Sequence, residues 1–494
     1  MAQQGELGRS ARQSLIWGAG FQFLNQAIQF GTMLVLVRLL TPADYGTVSL
    51  AQAILNALTV CSFAIFVQHA LQARDPATID WQSHWTAGVA INALILVITL
   101  GVVLGLSQSA KYEAIAAPLA VLAANFVIGV PASLRQRMLE ANHEWLVLRW
   151  LLFGGTVAGL MASLLLAWLG AGYWALVAPA VIFGLPLAVD LFWRSGFRPR
   201  WTYDHGYYAN ALSFGFQRMF SAAASQGRTF TEQALVSGVF TLATLGIYTR
   251  SAGLAIMLVG QIGGLAIAAL YPVITRAEHR TPRFQRLAAL LLRGVIWGMA
   301  PAALFLWSVP REVVLVLYGE QWLAVIDLLP WAGLSIGAFS CVQMCTTLML
   351  ANESRKLVLA IDIATSVLAI ALAFVFIPSG PRTYFMATAS LGGAMILVSC
   401  VAMVRTRAID VRGVAEGLLP PAVAAMGAAF VMALVHSSVA HLRPFFALTA
   451  AGSVICLTYM AILRVAFPEA LRALAEILPG APVLLRLLGY RRGD

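Results

Sequence analysis

The residues of this chain that bear most directly on chemistry are Arg218, Arg228, Glu232 and Arg250, because they interrupt an otherwise apolar stretch. An arginine at the centre of a membrane helix costs about 2.5–3.5 kcal/mol on insertion scales, so it faces protein or a water-filled cavity. Arg218 and Arg228 are ten residues apart. At roughly 100° per residue they project about 80° apart, with Glu232 one turn beyond Arg228. Two arrangements fit. Arg228 and Glu232 can form an intrahelical ion pair while Arg218 extends to the interface. Alternatively, the arginines line a cationic cavity wall whose guanidinium forks suit a diphosphate. One carboxylate against three arginines leaves positive charge over, which favours the second.

A second polar face lies on the first apolar run, with Gln22, Asn25, Gln26 and Gln29, and is joined by Gln52 and Asn56 on the next. These amides suit sugar hydroxyls in the same cavity; hydrogen bonding between helices is the other use for them. Asp190, Asp327 and Asp362 fall near the ends of apolar runs and read as interfacial, not as sites for a coupling cation.

Signatures of covalent chemistry are missing. His143 and Glu144 begin a zinc-protease-like fragment, but Val147 stands where the second histidine is needed. There is no phosphate-binding loop and no DxD pair. The five cysteines all sit in apolar runs without a CxxC, and Cys341 and Cys345, one turn apart, have no His or carboxylate beside them. They read as packing residues, so no disulfide, metal or cofactor is expected.

The elements that must position these groups follow from composition. Of 494 residues, 60% are hydrophobic and 11% charged, where a soluble protein carries about a quarter charged. A crossing needs roughly twenty apolar residues. Apolar stretches bounded by charges, Gly or Pro predict an all-α polytopic membrane protein with about fourteen transmembrane helices, at about 13–39, 45–68, 84–108, 114–134, 145–169, 172–193, 207–230, 243–272, 286–309, 323–350, 356–377, 383–404, 414–436 and 444–466. Loop charge tests these spans independently, since Lys and Arg accumulate on the cytoplasmic side. With the N-terminus inside, about 24 of the 32 basic residues fall in inner segments and only Arg38, Lys111, Arg311, Arg382 and Arg443 fall outside. Both termini are then cytoplasmic and the membrane is a bacterial inner membrane. The net charge of +11 is scattered between apolar runs and forms no nucleic-acid patch. No hydrophilic segment is long enough to fold as a soluble catalytic domain. The first apolar run is too long for a cleaved signal and carries Asn25, Gln26 and Gln29. The tail from about 467 reads as an amphipathic segment on the inner surface.

Sliding the chain on itself by 200 residues places Gln26 on Gln226, Phe30 on Phe230, Thr41 on Thr241, Ala43 on Ala243 and Gly46 on Gly246. That offset carries spans one to six onto seven to twelve. It divides the chain into an N-terminal lobe at 1–200, a C-terminal lobe at 201–410, two added helices at 411–466 and the cytoplasmic tail at 467–494. Six being even, the halves enter from the same side, as parallel repeats that can rock about a central cavity.

Several segments, in order, resemble the polysaccharide transporter family, the Wzx-type oligosaccharide-lipid flippases of the multidrug/oligosaccharidyl-lipid/polysaccharide exporter superfamily. They are RLLTPADYG (38–46), GAGYWALV (170–177), SGFRPRW (195–201), LGIYTRSAG (245–253), YPVITR (271–276) and YGEQWLAVIDLLPW (318–331). The resemblance implies twelve helices in two lobes plus two, a central cationic cavity, and transfer of an undecaprenyl-diphosphate-linked oligosaccharide to the periplasmic leaflet. Where that family often has Asp before a leucine-rich stretch and Gly, this chain has Glu232 before LVSG (235–238). The partners expected are the lipid-linked oligosaccharide and membrane lipids, with a polysaccharide polymerase and co-polymerase open as further ones and nucleic acid excluded. Two rivals stand beside the flippase: a drug/cation antiporter of the same superfamily, against which the arginine excess argues, and a membrane-embedded polymerase or ligase, which would need a large periplasmic loop.

Overall fold

Proline and hydroxyl residues set the points at which the apolar runs become helices. In the computed structural model, which describes residues 20–21, 24–62, 79–202, 223, 225–264, 274 and 281–475, all regular structure is helical. The helices are α1 (24–39), α2 (Pro42–Thr59), α3 (Trp81–Ser107), α4 (Glu113–Ala141), α5 (Trp145–Trp168), α6 (Trp174–Trp193), α7 (225–239), α8 (Leu242–Gly264), α9 (Pro282–Ser308), α10 (Pro310–Leu317), α11 (Leu329–Ala351), α12 (Arg355–Phe376), α13 (Pro381–Arg405), α14 (Val411–Ala440), α15 (Pro444–Ala466) and α16 (Pro468–Ala475). Proline occupies the first turn of α2, α9, α10, α11, α13 and α15, where its fixed φ suits a helix start and its missing N–H costs nothing. Side chains of Thr41, Asp80, Thr281 and Asp410 cap α2, α3, α9 and α14.

Eleven of these helices, α3 to α6, α8, α9 and α11 to α15, are long and apolar enough to cross a membrane among the described residues. They coincide with eleven of the fourteen expected spans, so the chain is an all-α, multi-pass membrane protein. The other three expected spans, the first, second and seventh, lie partly outside the described residues. Three expected boundaries move. The fourth helix does not stop at 134 but runs to Ala141. The seventh helix does not stop at 230 but runs to Val239. The tenth span begins at Leu329, not 323, because Gly319 at φ +95° turns the chain into a short 3-10 segment, Glu320–Val325, before the helix starts.

The chain forms two compact units, Met1–Gly246 and Ile247–Asp494. In the first, α4 packs on α2 and α3, and α6 on α4 and α5. Buried Asn92 of α3 donates to Phe126 O of α4 at 2.9 Å. Pro179 inside α6 has no N–H for Ala175 O, and the Ser163 hydroxyl of α5 donates to that carbonyl instead. A Cβ added to Gly155 would stand 2.3 Å from Phe183 O, so α5 and α6 touch backbone to backbone. The Arg135 guanidinium of α4 holds Asp190 of α6 at 2.6 Å in a buried pair. Asp190, near the end of α6 as expected, is thus also a packing residue.

In the second unit α9 packs on α11, α14 and α15, and α13 on α11 and α12. Here too a proline's freed carbonyl is met: Pro301 leaves Trp297 O, and the Tyr459 hydroxyl of α15 donates to it at 3.0 Å. Trp297, Ala424, Ala428, Tyr459, Leu463 and Leu471 form the core of this packing. Arg293 pairs with Glu416 of α14, which also takes Arg412 at 2.8 Å, and Arg293 donates to Ala470 O of α16. The two added helices are therefore tied to α9 by core and charge together. Leu471 and Ala475 of α16 are buried, and the rest of the expected amphipathic tail lies outside the described residues.

Candidate functional site

The 200-residue repeat has a structural counterpart at one corner of the molecule. α1 ends at residue 39 and α7 at 239; each is followed by one bend residue, then by Thr41 or Thr241 as the cap of the next helix. Thr41 accepts from Asp44 N at 3.3 Å, and Thr41 N donates to the Asp44 carboxylate at 2.9 Å, a reciprocal capping box. Thr241 accepts from Thr244 N at 3.2 Å, and its hydroxyl meets that of Thr244 at 3.1 Å. Burial follows the same offset: Leu36 and Val236, Val37 and Ser237, Tyr45 and Leu245, Val48 and Tyr248, Ala51 and Ser251 are all buried.

The first turns of α2 and α8 meet glycine to glycine. A Cβ on Gly46 would fall 1.7 Å from Leu242 O and 3.1 Å from Gly246 N; one on Gly246 would fall 1.9 Å from Pro42 O and 3.1 Å from Gly46 N. Contacts this reciprocal are what a local two-fold produces, and they admit no side chain at either position. Beside them Lys111, one of only two lysines in the chain, donates to Gly238 O near the end of α7 and lies 5.6 Å over the Tyr112 ring. A cation there complements the negative end of the helix dipole.

Of the sequence-derived candidates, Arg228 and Glu232 are brought together on α7, Nε to Oε1 at 2.9 Å, with Glu232 buried and Arg228 a quarter exposed. Arg250 lies on α8 in the second unit, where its carbonyl accepts from the buried Tyr318 hydroxyl at 3.3 Å. Asn25 is partly buried with a buried Oδ1 that has no hydrogen-bond partner, Gln26 and Gln29 are exposed on α1, Gln52 is half-buried and Asn56 exposed on α2. Gln22 and Arg218 lie outside the described residues. Gln233, next to Glu232, also buries a carbonyl oxygen without a partner. Among the described residues no group of His, Cys, Asp and Glu is placed to hold a metal ion. Asp362 is exposed two turns into α12, and Asp327 lies in the turn before α11.

Sequence reasoning did not pick out Lys111, Gly238 or Gln233. Gly46 and Gly246 were visible as a repeat match, but not as a contact. The rarity of lysine was the available signal for Lys111, and Gly238 closes the LVSG stretch of the family resemblance; none marked Gln233.

Comparison with known proteins agrees with this architecture. A curated relative, the succinoglycan biosynthesis transport protein ExoT of Rhizobium meliloti (strain 1021), is 22% identical over 316 residues; the match spans 63% of this chain and 63% of ExoT's length. Among solved structures, the lipid II flippase MurJ in an inward closed conformation superposes with a TM-score of 0.73 at 11% identity, covering 92% of this chain and all of that one. An inward-facing multidrug resistance MATE family transporter of the MOP superfamily gives 0.59 at 15% identity, covering 78% of this chain and 94% of the other. The fold is shared with both. The profile of the family described as "Polysaccharide biosynthesis protein" matches residues 35–327, which include both repeat corners, Arg228 and Glu232, and the chain belongs to that family.

Proposed function

We propose that this protein translocates an undecaprenyl-diphosphate-linked oligosaccharide, a repeat unit of exopolysaccharide, capsule or O-antigen, across the bacterial inner membrane by alternating access, without covalent chemistry. The observation that carries the reading is the family match over 35–327, because that stretch holds two equivalent helix corners together with an arginine-bearing helix. The names of ExoT and MurJ, a transport protein of polysaccharide biosynthesis and a lipid flippase, support the same class of cargo.

In this reading two six-helix lobes, 1–200 and 201–410, open in turn to each side. Arg218, Arg228 and Arg250 receive the diphosphate, Glu232 orients Arg228, and the amides of Gln22, Asn25, Gln26, Gln29, Gln52 and Asn56 bind sugar hydroxyls while the prenyl chain stays in lipid. Such binding moves the switch only if the head group is held with different affinity in the two states. The paired glycines support a two-state corner, since backbone contact this close exists fully or is lost when the helices part. The distribution of basic residues among the loops supports cytoplasmic termini.

The test is sidedness. Purified protein in vesicles loaded with a fluorescent polyprenyl-diphosphate oligosaccharide is expected to expose the inner pool to an added glycosidase, and vesicles without protein are not. Equal exposure in both sinks the proposal. The likeness to a MATE transporter leaves an antiporter as the second reading; proton- or sodium-driven uptake of an organic cation, with no movement of the lipid, would establish it instead.

A further inference from the structure

The first unit carries a rigid basic bracket at one membrane interface. After α6 the chain turns at Gly196, φ +63°, and doubles back along the first turns of α3. Gln82 locks it in both directions: its Nε2 donates to Arg198 O at 3.0 Å, and Arg200 N donates to its Oε1 at 2.8 Å. Thr202 N donates to the Thr86 hydroxyl at 3.1 Å, and the Thr202 hydroxyl meets Ser83 at 3.3 Å. Phe197 packs into the cluster of Leu134, Met138 and Leu191, and Trp85 contacts Phe192 and Phe197 edge-on or tilted, each at 5.9 Å. A six-residue segment without regular structure is thus held as firmly as a strand.

What the bracket displays is exposed. Arg194, Arg198 and Arg200 all face outward, Trp193 is 88% exposed and Trp201 72%. Among the described residues the nearby carboxylates are engaged: Asp190 in the buried pair with Arg135, and Asp80 as the cap of α3. A shallow, open apolar hollow lies against Val189, Phe192 and Trp193, in the last turn of α6 before Arg194. Arginines above, indoles at the level of the head groups and an apolar hollow beneath follow the profile of a lipid: phosphate, interface, acyl chain.

We propose that this bracket is a binding site for an anionic phospholipid of the cytoplasmic leaflet, with the phosphate on Arg194, Arg198 and Arg200 and one acyl chain along Val189, Phe192 and Trp193. Two arguments select this occupant. The guanidinium forks complement a phosphate diester, and among the described residues three positive charges stand against one carboxylate, Asp80, whose oxygens serve the helix cap. The site needs only the membrane placement of α6 and stands apart from the cargo that the protein moves.

The experiment is native mass spectrometry of the full chain in detergent, titrated with phosphatidylglycerol or phosphatidylcholine of the same acyl chains. With roughly a fivefold gain per basic residue at an anionic surface, discounted for exposure, wild type is expected to retain one phosphatidylglycerol with about tenfold preference. R194Q/R198Q/R200Q is expected to bring that preference to within about twofold. Gln82→Leu, which loosens the bracket and leaves the charge unchanged, is expected to lower it part of the way. A control removing three exposed charges from other basic turns, R355Q/K356Q/R405Q, is expected to leave it intact. Equal retention of the two lipids by wild type overturns the proposal, as does full retention by the triple glutamine variant or an equal loss in the control. A competing arm adds polyprenyl diphosphate: displacement of phosphatidylglycerol at lower concentration than its own binding requires would assign the site to cargo and overturn the phospholipid assignment.

Discussion

The two helix corners and the polar faces beside them obey opposite rules. At the corners the halves share the residues that cap and touch, Thr41 with Thr241, Ala43 with Ala243 and Gly46 with Gly246, down to reciprocal backbone contact, while Pro42, Asp44 and Tyr45 are replaced by Leu242, Thr244 and Leu245. On the polar faces they differ at almost every position. Arg228 and Glu232 correspond to Ile28 and Thr32, Arg250 to Leu50, while Gln22, Asn25, Gln29, Gln52 and Asn56 correspond to Ala222, Ser225, Thr229, Ala252 and Ile256. Only Gln26 and Gln226 agree. The first half offers neutral amides and the second half charge. A symmetric contact constrains both copies alike, because each is the other's neighbour; a ligand with a charged end and a neutral end does not. Matching thus marks where the halves support each other, and divergence marks where they can receive something asymmetric.

The largest expected effect breaks the matched side. Gly46→Leu and Gly246→Leu each place a side chain on a backbone carbonyl, an overpacking worth about 3 kcal/mol or more. Both variants are expected to abolish export while the protein remains in the membrane, read by surface polysaccharide and by immunoblot of membranes. Normal export from either would show that the contact need not form.

Next comes the divergent side. Arg228→Gln removes the guanidinium that stands 2.9 Å from the buried Glu232 carboxylate, a loss of about 1 kcal/mol for a partly exposed pair, and should lower the midpoint of thermal unfolding. Replacing both, R228Q/E232Q, is expected to recover most of that stability and still to lack export. Recovery of both would reduce the pair to packing. Lys111→Met removes the cation from the end of α7 at a cost of about 1 kcal/mol; a partial fall in export, read in the same polysaccharide assay, is expected if the second corner needs this clasp, and no change would confine the corner to its glycines and caps.

The smallest effect lies outside both regions. Burial pushes the Asp80 carboxyl up, but its hydrogen bonds from the Ser83 hydroxyl and from the Ser83 and Gln82 amides, together with His84, outweigh this and hold it below the ordinary 3.8. A carboxyl held lower in the folded than in the unfolded state stabilises above its ordinary value and loses that contribution as pH falls through the lower one. Asp80→Asn is therefore expected to lower stability by about 1 kcal/mol at pH 7, with a smaller gap at a pH well below the ordinary carboxylate range, and to leave export unchanged. A gap of the same size at both pH values would mean that the carboxylate's charge plays no part in the cap.

Much of the fold was legible because bilayer thickness imposes a length and loop charge imposes a side, and both are written in residue order. Most of the eleven spans fell within a few residues of their expected places; the fourth runs past 134 to Ala141, the expected end of the eighth lies outside the described residues, and the start of the tenth depends on Gly319 adopting positive φ. The seventh helix was misjudged at its end because Glu232 and Gln233 looked like a polar terminus. They are instead buried or half-buried inside a helix that runs to Val239, as the repeat itself required of a copy of α1. The site was legible as residue types. Arg228 and Glu232 one turn apart could be read as a pair, since helical spacing alone decides that contact.

By itself the sequence determined that this chain is a bundle of membrane helices with an internal repeat, since hydropathy, charge alternation and the 200-residue offset are properties of order along the chain. Only the tertiary structure decided which repeated residues touch, that Asp190 is consumed by Arg135, that Ser163 and Tyr459 satisfy the carbonyls freed by two prolines, and that three arginines of a turn are held fast by Gln82. Each of these joins positions far apart in the chain, and nothing local records the partner.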